Sequence, residues 1–148
     1  MGELTKWDVR FMEMAELVST WSMDKKRKVG VVIVNENNMV LSIGYNSFAS
    51  KINENLEYRH IKPIKNFYVE HGERNAIFNA AKHGVKLNNS TMYVSWFPCS
   101  ECCRAIIQSG VKTVVCVRPD YSDDSWGETF KVSTDMFDES GIEIKYVS

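Results

Sequence analysis

The chain has 148 residues, a net charge of −1 and 44% hydrophobic residues, which is enough to bury one core, so we expect a single domain spanning residues 1–148. The near-zero net charge argues against a nucleic-acid partner, because such partners select a basic protein face. The charges within residues 1–21 leave no apolar signal-peptide core, and no later run is long enough to span a membrane.

The first predicted element is an amphipathic helix from Thr5 to Trp21. Its apolar stripe predicts a core-facing side made of Trp7, Phe11, Met14, Ala15 and Val18. The basic run at 24–28, DKKRK, follows directly before a strand. It is either a solvated turn or a phosphate contact, and the sequence leaves both interpretations open.

A hairpin is predicted next, with strands over Val29–Val34 and Met39–Gly44 and turn residues between them. Residues 47–70 show little periodicity, and a loop of this length inside a compact domain is usually functional. Its polar side chains are candidates for a pocket mouth: Arg59, His60, Lys62, Lys65, Tyr68 and Glu70.

The rest of the chain alternates helices and strands. The predicted helices are His71–Lys82, buried on all sides, Ser100–Ser109 and Gly127–Glu139; the predicted strands are Thr91–Ser95, Lys112–Val117 and Ile142–Val147. Helical crossovers place consecutive strands parallel. We therefore expect an α/β fold of three layers, α/β/α, with a five-stranded mixed sheet and helices on both faces.

Two short segments carry the chemistry, His71-Gly72-Glu73 and Pro98-Cys99-Ser100-Glu101-Cys102. Cysteines at i and i+3 that open a helix share one face, and the helix N-terminus favours their thiolates. With His71 they make three zinc ligands, which leaves a fourth position for water as in catalytic sites. Glu73 beside such a water is a candidate proton shuttle.

Alternatives exist for each of these residues. Cys103 as a fourth ligand would make a structural zinc site, but adjacent helical residues point about 100° apart, so we expect Cys103 and Cys116 to be packing residues. Glu73 alone could be a helix N-terminal carboxylate. Three cysteines within one helical turn suit metal binding in a reducing compartment better than disulfides, so we expect a cytoplasmic protein.

The pattern HxE followed by PCxxC is the signature of zinc nucleobase deaminases. The surrounding stretches KVGVVIV, LSIGYN, EHGERNAIFNAAKHG and MYVSWFPCSECCRAIIQSGVKTVV resemble the deoxycytidylate deaminase family. The resemblance implies a cytidine-deaminase-like fold and hydrolytic deamination of dCMP to dUMP and ammonia. It also implies zinc ligation by His71, Cys99 and Cys102, with Glu73 as the catalytic proton shuttle.

The resemblance also implies substrate contacts. The backbone amide of Gly72 would contact the pyrimidine, Asn46 the sugar, the backbone near Ser95 and Trp96 the amino group, and Phe97 the base. Tyr121, with Asp120, resembles a segment that lies near the nucleotide in the family. A monophosphate also needs charge-assisted donors, for which the candidates are Arg27, Lys28 and Arg118.

The chain departs from the family pattern at two places. The usual HAE is His71-Gly72-Glu73 here, and the loop at 44–50, GYNSFAS, lacks the later glycines and proline of the family. Relatives use that loop for activation by dCTP and inhibition by dTTP, with Mg²⁺ as a possible companion of these effectors. Relatives also form homo-oligomers, as hexamers or dimers, so we expect a homo-oligomer.

Two rival functions are compatible with these motifs. One is another zinc deaminase, acting on cytidine or deoxycytidine, dCTP or a transfer-RNA adenosine; the last should show a more basic surface. The other is a non-catalytic zinc-stabilised module, which would not need a carboxylate at position 73.

Overall fold

The structure of the protein is a computed structural model that describes residues 2–147. The helices are α1 (Lys6–Ser19), α2 (Lys65–Tyr68), α3 (Gly72–Lys82), α4 (Ser100–Ser109) and α5 (Gly127–Ser140), with a 3₁₀ turn at Glu57–His60. The strands are β1 (Gly30–Val34), β2 (Val40–Tyr45), β3 (Ser47–Phe48), β4 (Val69–Glu70), β5 (Thr91–Val94), β6 (Thr113–Cys116) and β7 (Glu143–Tyr146). None of the helices in this part of the chain is both long and apolar enough to cross a membrane.

The main sheet has five strands in the order β2-β1-β5-β6-β7. β1 pairs antiparallel with both β2 and β5, whereas β5, β6 and β7 run parallel. The crossovers through α4 and α5 account for the parallel half, because a parallel connection needs a long return path. The predicted five-stranded mixed α/β sheet is confirmed.

Helices cover both faces of this sheet, as predicted. α1 packs on one face over Val32, Val34 and Tyr93, and α3, α4 and α5 pack on the other face over Val31 and Ile33. This alternation along β1 is the period of two that a strand imposes, and every residue of β1 is buried because both faces are covered.

Two glycines allow helices to approach the sheet closely. A Cβ on Gly30 would lie 1.9 Å from the Ala15 carbonyl oxygen of α1. A Cβ on Gly44 would lie 2.4 Å from the Ala76 nitrogen of α3. The second contact sets the distance between α3 and β2, and α3 is the helix that carries His71 at its N-cap and Glu73 in its first turn.

Two predictions about burial were wrong. In α1, Trp7 and Met14 are 37% and 36% exposed, and the buried face turns towards Met12 instead. α3 is not buried on all sides, since Phe78 is 53% exposed. The reason is that α3 lies chiefly over β2, the edge strand, so nothing in residues 2–147 covers its outer side.

The segment predicted as one long loop contains short pieces of regular structure. Its two ends pair as β3 and β4, with Ser47 opposite Glu70 and Phe48 opposite Val69. The ring of Phe48 stacks on His60 at a centroid distance of 4.8 Å. The first and last residues of the segment therefore lie side by side, and its last residue directly precedes His71.

A buried ion pair joins the first helix to the last strand. Asp8 of α1 is 5% exposed, and its carboxylate lies 2.8 Å from Lys145 Nζ of β7. The same carboxylate accepts a hydrogen bond from the Tyr93 hydroxyl at 2.8 Å and one from the Thr5 amide at 2.9 Å. Burial raises the pKa of Asp8, but these bonds together outweigh it and hold the pKa below its usual value.

Candidate metal centre

Three predicted ligands meet where two helices begin. His71 is the N-cap of α3, Cys99 is the N-cap of α4, and Cys102 lies in the first turn of α4. His71 Nδ1 lies 3.4 Å from Cys99 Sγ and 3.3 Å from Cys102 Sγ. All three ligand atoms lie within 4.8 Å of one another.

This donor set fits zinc. With Zn–S ~2.3 Å and Zn–N ~2.0 Å, tetrahedral angles place nitrogen and sulfur ligands about 3.5 Å apart. The observed nitrogen–sulfur distances of 3.3 and 3.4 Å are close to that separation. Two thiols and one imidazole are also a zinc-type set rather than a magnesium or calcium set, which would be oxygen-rich.

The titration of the three groups is coupled. A hydrogen bond from Cys102, together with His71, lowers the pKa of the Cys99 thiol, and the same hydrogen bond and burial raise the pKa of Cys102. The hydrogen bond to Cys99 raises the pKa of His71. These shifts favour a thiolate at Cys99 beside a protonated His71. A metal ion that binds the three side chains would displace their protons.

Glu73 lies within this arrangement. It is 4% exposed, and burial followed by the charge of Cys99 raises its pKa to about 7. A carboxyl group with such a pKa can both accept and donate a proton near neutral pH. This is the property that an acid–base residue requires.

The other two cysteines lie outside the centre. Cys103 is fully buried, and its thiol donates to the Ser133 carbonyl of α5 at 3.5 Å. Burial raises the pKa of Cys103 to about 12 and also raises that of Cys116. Both side chains lie in the apolar core, so the geometry does not favour the alternative with Cys103 as a fourth ligand.

Arg74 ties the two ligand-bearing helices together. Its guanidinium pairs with Glu70 of β4 at 3.0 Å and with Glu101 of α4 at 3.2 Å. Glu70 also accepts a hydrogen bond from the His71 amide at 3.3 Å. The residue after Glu73 therefore connects β4, α3 and α4 around the centre.

Asn46 and Gly72, both predicted substrate contacts, are tightly held. The Asn46 side chain accepts from the Val29 amide and donates to the Arg27 carbonyl, each at 2.8 Å. The side-chain oxygen and one N–H of the amide are thus used to shape the entry to β1, and the contact of Asn46 with a sugar stays a prediction. A Cβ on Gly72 would lie 3.2 Å from the Val29 carbonyl, which leaves little room for the alanine of the family pattern.

Arg27 and Trp96 form a stacked pair. The Arg27 guanidinium lies 3.6 Å from the centroid of the Trp96 ring, and its backbone amide donates to the Asp24 carboxylate at 3.1 Å. Asp24 also pairs with Lys65 at 2.7 Å, so Lys65 is held in an ion pair. The basic run is therefore a structured turn that places Arg27 on a residue three positions before Cys99.

The remaining substrate candidates differ in position. The Ser95 hydroxyl accepts from the Gly30 amide at 2.9 Å. Phe97 is 2% exposed and packs edge-on against Phe130 and Phe137 in the core, and its contact with a base stays a prediction. Tyr121 is 42% exposed, and its hydroxyl is hydrogen-bonded to Thr134 of α5 at 2.8 Å.

The other two phosphate candidates are less constrained. Lys28 is exposed. Arg118 is also exposed, and its guanidinium lies 4.7 Å from the centroid of the Tyr146 ring.

Two residues of the site were not predicted from the sequence. The Trp126 ring lies edge-on to His71 at a centroid distance of 5.8 Å, and the Thr129 hydroxyl accepts from the Ser100 amide at 2.7 Å. Both come from the start of α5, far along the chain from the ligands. No local pattern around them indicates this role; only the three-dimensional packing of α5 against α4 does.

The sequence of this chain matches a protein family and several curated proteins. Residues 5–118 match the family described as the cytidine and deoxycytidylate deaminase zinc-binding region. The chain is 37% identical to an uncharacterised deaminase in the luxG 3′ region of Aliivibrio fischeri, over 97% of this chain and 95% of that protein. It is 33% identical to deoxycytidylate deaminase of Pongo abelii, over 95% of this chain and 79% of that protein.

Solved structures agree with these relatives. The dCMP deaminase of cyanophage S-TIM5, determined in complex with dCMP and dUMP, superposes with a TM-score of 0.78. That chain is 27% identical, and the match covers 99% of this chain and 100% of the phage protein.

Proposed function

The chain belongs to the family defined by the cytidine and deoxycytidylate deaminase zinc-binding region, and we propose on that basis that it catalyses the hydrolytic deamination of dCMP. Water adds at C4 of the cytosine and ammonia leaves, which yields dUMP, a precursor of dTMP. The observation that carries the proposal is the buried Glu73 beside the cluster of His71, Cys99 and Cys102. The choice of dCMP rests on the deoxycytidylate deaminase relatives and on the phage enzyme that binds dCMP and dUMP.

His71, Cys99 and Cys102 would hold the zinc ion. When bound, zinc acts as a Lewis acid and lowers the pKa of water to ~7. The chain supplies the remaining functions. Glu73 takes one proton from the attacking water on a carboxylate oxygen and passes it to the ring nitrogen N3. It then takes the proton of the new hydroxyl at C4 and gives it to the amine, which leaves as ammonia while the C4 carbonyl forms. The burial that raises its pKa to about 7 suits it to both directions of transfer.

Arg27 is our first choice for the group that reads the phosphate. Its backbone is fixed by Asp24 and Asn46, and its guanidinium is already ordered on Trp96. A pre-ordered guanidinium loses little entropy when it binds a phosphate, and its planar donors suit the oxygens of that group. Lys28 and Arg118 remain secondary candidates.

Self-association and regulation are further parts of the proposal. The segment between β3 and β4 exposes large apolar side chains, including Phe67 at 84%, Ile61 at 57% and Tyr58 at 54%, which supports a homo-oligomer. The loop at 44–50 lines a cavity of about 540 Å³, large enough for a nucleotide such as dCTP or dTTP with Mg²⁺. A cytoplasmic location suits the four free thiols.

The decisive experiment is a spectrophotometric assay of cytosine loss with zinc-loaded protein. The substrates are dCMP, dCTP, deoxycytidine and CMP, each tested with wild type, Glu73→Gln and Glu13→Gln. Glu13 of α1 is exposed, lies outside the candidate site and undergoes the same chemical change, so it serves as the matched control.

We expect turnover of dCMP that is lost in Glu73→Gln by a factor of about 10²–10⁴ and kept in Glu13→Gln. Preference for deoxycytidine or dCTP would keep the reaction and overturn the substrate. Full activity in Glu73→Gln would contradict the role of the carboxylate, and no turnover of any substrate by zinc-loaded wild type would contradict the proposed function.

A further inference from the structure

The N-terminus of α4 has no capping hydrogen bond from the side chain of its own N-cap residue. The first amides of a helix lack partners within the helix, and the N-cap side chain normally accepts from one of them. Here the N-cap is Cys99, whose sulfur faces His71 Nδ1 at 3.4 Å and makes no capping bond.

The missing acceptor comes from α5. The Thr129 hydroxyl accepts from the Ser100 amide at 2.7 Å, a short and direct bond across 29 residues. Since Ser100 follows Cys99, this bond constrains the peptide that carries the ligand. Thr129 therefore acts as a cap supplied by another helix.

A second contact from the same part of α5 reaches the other half of the centre. Trp126 is the residue before the first turn, and its ring packs edge-on against His71. The backbone leading into this turn is itself packed closely, because a Cβ on Gly127 would lie 2.3 Å from the Tyr121 carbonyl oxygen. The start of α5 thus contacts both ligand-bearing segments, through Trp126 on His71 and Thr129 on Ser100.

We infer that Thr129 is a positioning residue for the metal centre, holding Cys99 in the orientation that binds zinc. The inference rests on the proposed zinc site and deepens it. Residues that orient metal ligands without touching the metal typically change metal affinity by about 10–100-fold when they are altered. Because Thr129 acts through one backbone bond, we expect an effect at the lower end, about tenfold.

The test is the zinc dissociation constant, measured by competition with a chromophoric chelator of known affinity. Thr129→Val removes the acceptor at nearly constant volume and is expected to raise the constant about tenfold. Thr129→Ser keeps the hydroxyl and should bind zinc within about twofold of wild type, because the bond to the Ser100 amide is preserved. If Thr129→Val does not fold, Thr129→Ala compared with Thr129→Ser gives the same contrast.

The matched control is Thr134→Val, which removes a hydroxyl from the same helix. Thr134 bonds to Tyr121 and to the Phe130 carbonyl but to neither ligand-bearing segment, so its zinc affinity should equal that of wild type. An unchanged zinc constant in the Thr129 variants lacking a hydroxyl would overturn the inference. An equal loss in Thr134→Val would also overturn it, since the effect would then be general loosening of α5.

Cobalt gives a second readout that a merely structural role would not change. In Thr129→Val the absorption bands of Co²⁺ bound to the two cysteines and the histidine should shift or weaken, and Thr129→Ser should restore them. Failure of wild type itself to bind zinc or cobalt would contradict the proposed metal centre instead, so the two outcomes are distinguishable.

Discussion

The buried pair of Asp8 and Lys145 should contribute measurably to stability, and Asp8→Asn tests it. The Tyr93 hydroxyl and the Thr5 amide donate to different oxygens of the carboxylate. The single asparagine oxygen can accept from Thr5, and its amide nitrogen would then donate to the Tyr93 oxygen, so the change removes the charge and one accepted hydrogen bond. Removing one partner of a buried pair costs about 3–5 kcal/mol. The Lys145 side chain is 14% exposed and can reach some water, so we expect the lower end, about 3 kcal/mol.

This loss corresponds to a fall in melting temperature of about 10 °C, taking an unfolding entropy of about 2.1 cal/mol/K for each residue of the chain. The assay is urea unfolding at neutral pH and fixed protein and zinc concentrations, compared with calorimetry. Glu128→Gln is the control, because Glu128 and Lys131 form an exposed pair with side chains 91% and 54% accessible. We expect that change to cost less than about 0.5 kcal/mol.

The same pair predicts a pH dependence. The pKa of Asp8 is lowered in the folded protein, so its stabilisation is complete above the unfolded value of about 3.9 and is lost as pH falls through the folded value. The difference between wild type and Asp8→Asn should therefore shrink below about pH 4. A difference under about 1 kcal/mol at neutral pH, or one that persists unchanged in acid, would refute the reasoning.

Three further predictions concern the site and its supports. Arg27→Gln should raise KM for dCMP about tenfold and leave deoxycytidine turnover unchanged; an effect confined to Lys28→Gln would transfer the phosphate contact to Lys28. Gly44→Ala should destabilise the protein by about 1–3 kcal/mol or more in urea unfolding, since its Cβ would lie 2.4 Å from backbone of α3. Gly72→Ala, whose nearest contact is 3.2 Å, should cost less, and the reverse order would contradict the packing argument. Removal of zinc by a chelator should lower the melting temperature, and added zinc should restore it by mass action; an unchanged melting temperature would show that the folded state does not bind the ion preferentially.

The sequence predicted those features that depend on neighbouring residues. The bounds of α4 are the predicted ones, because a proline before it and Gly110 after it, at φ 90°, mark the ends. The sequence also predicted that His71 and Cys99 lie close together. Each residue precedes the first turn of its helix, and the two helices start at the same end of the sheet. Local chemistry was sufficient for both results.

Features that depend on packing between distant segments were not predictable in this way. The ring of Phe97 packs edge-on against Phe130 and Phe137 of α5, and no pattern around Phe97 predicts that partner helix. Asn46 reads as a strand-end residue, yet its amide is bound to backbone about twenty residues upstream. Thr129 carries no motif at all. In each case the partner lies on an element whose position the sequence pattern does not specify.

The pairing of β3 with β4 has a consequence for how this chain can vary. Because Ser47 faces Glu70, the intervening segment is an appendage whose two attachment points are fixed next to each other. Lengthening such a closed loop is cheap, since doubling its length adds only about 0.6 kcal/mol of closure entropy. An insertion can therefore lengthen this segment between its two attachment points while His71 and the helix behind it keep their places. The length of the segment is thus independent of the geometry of the metal centre.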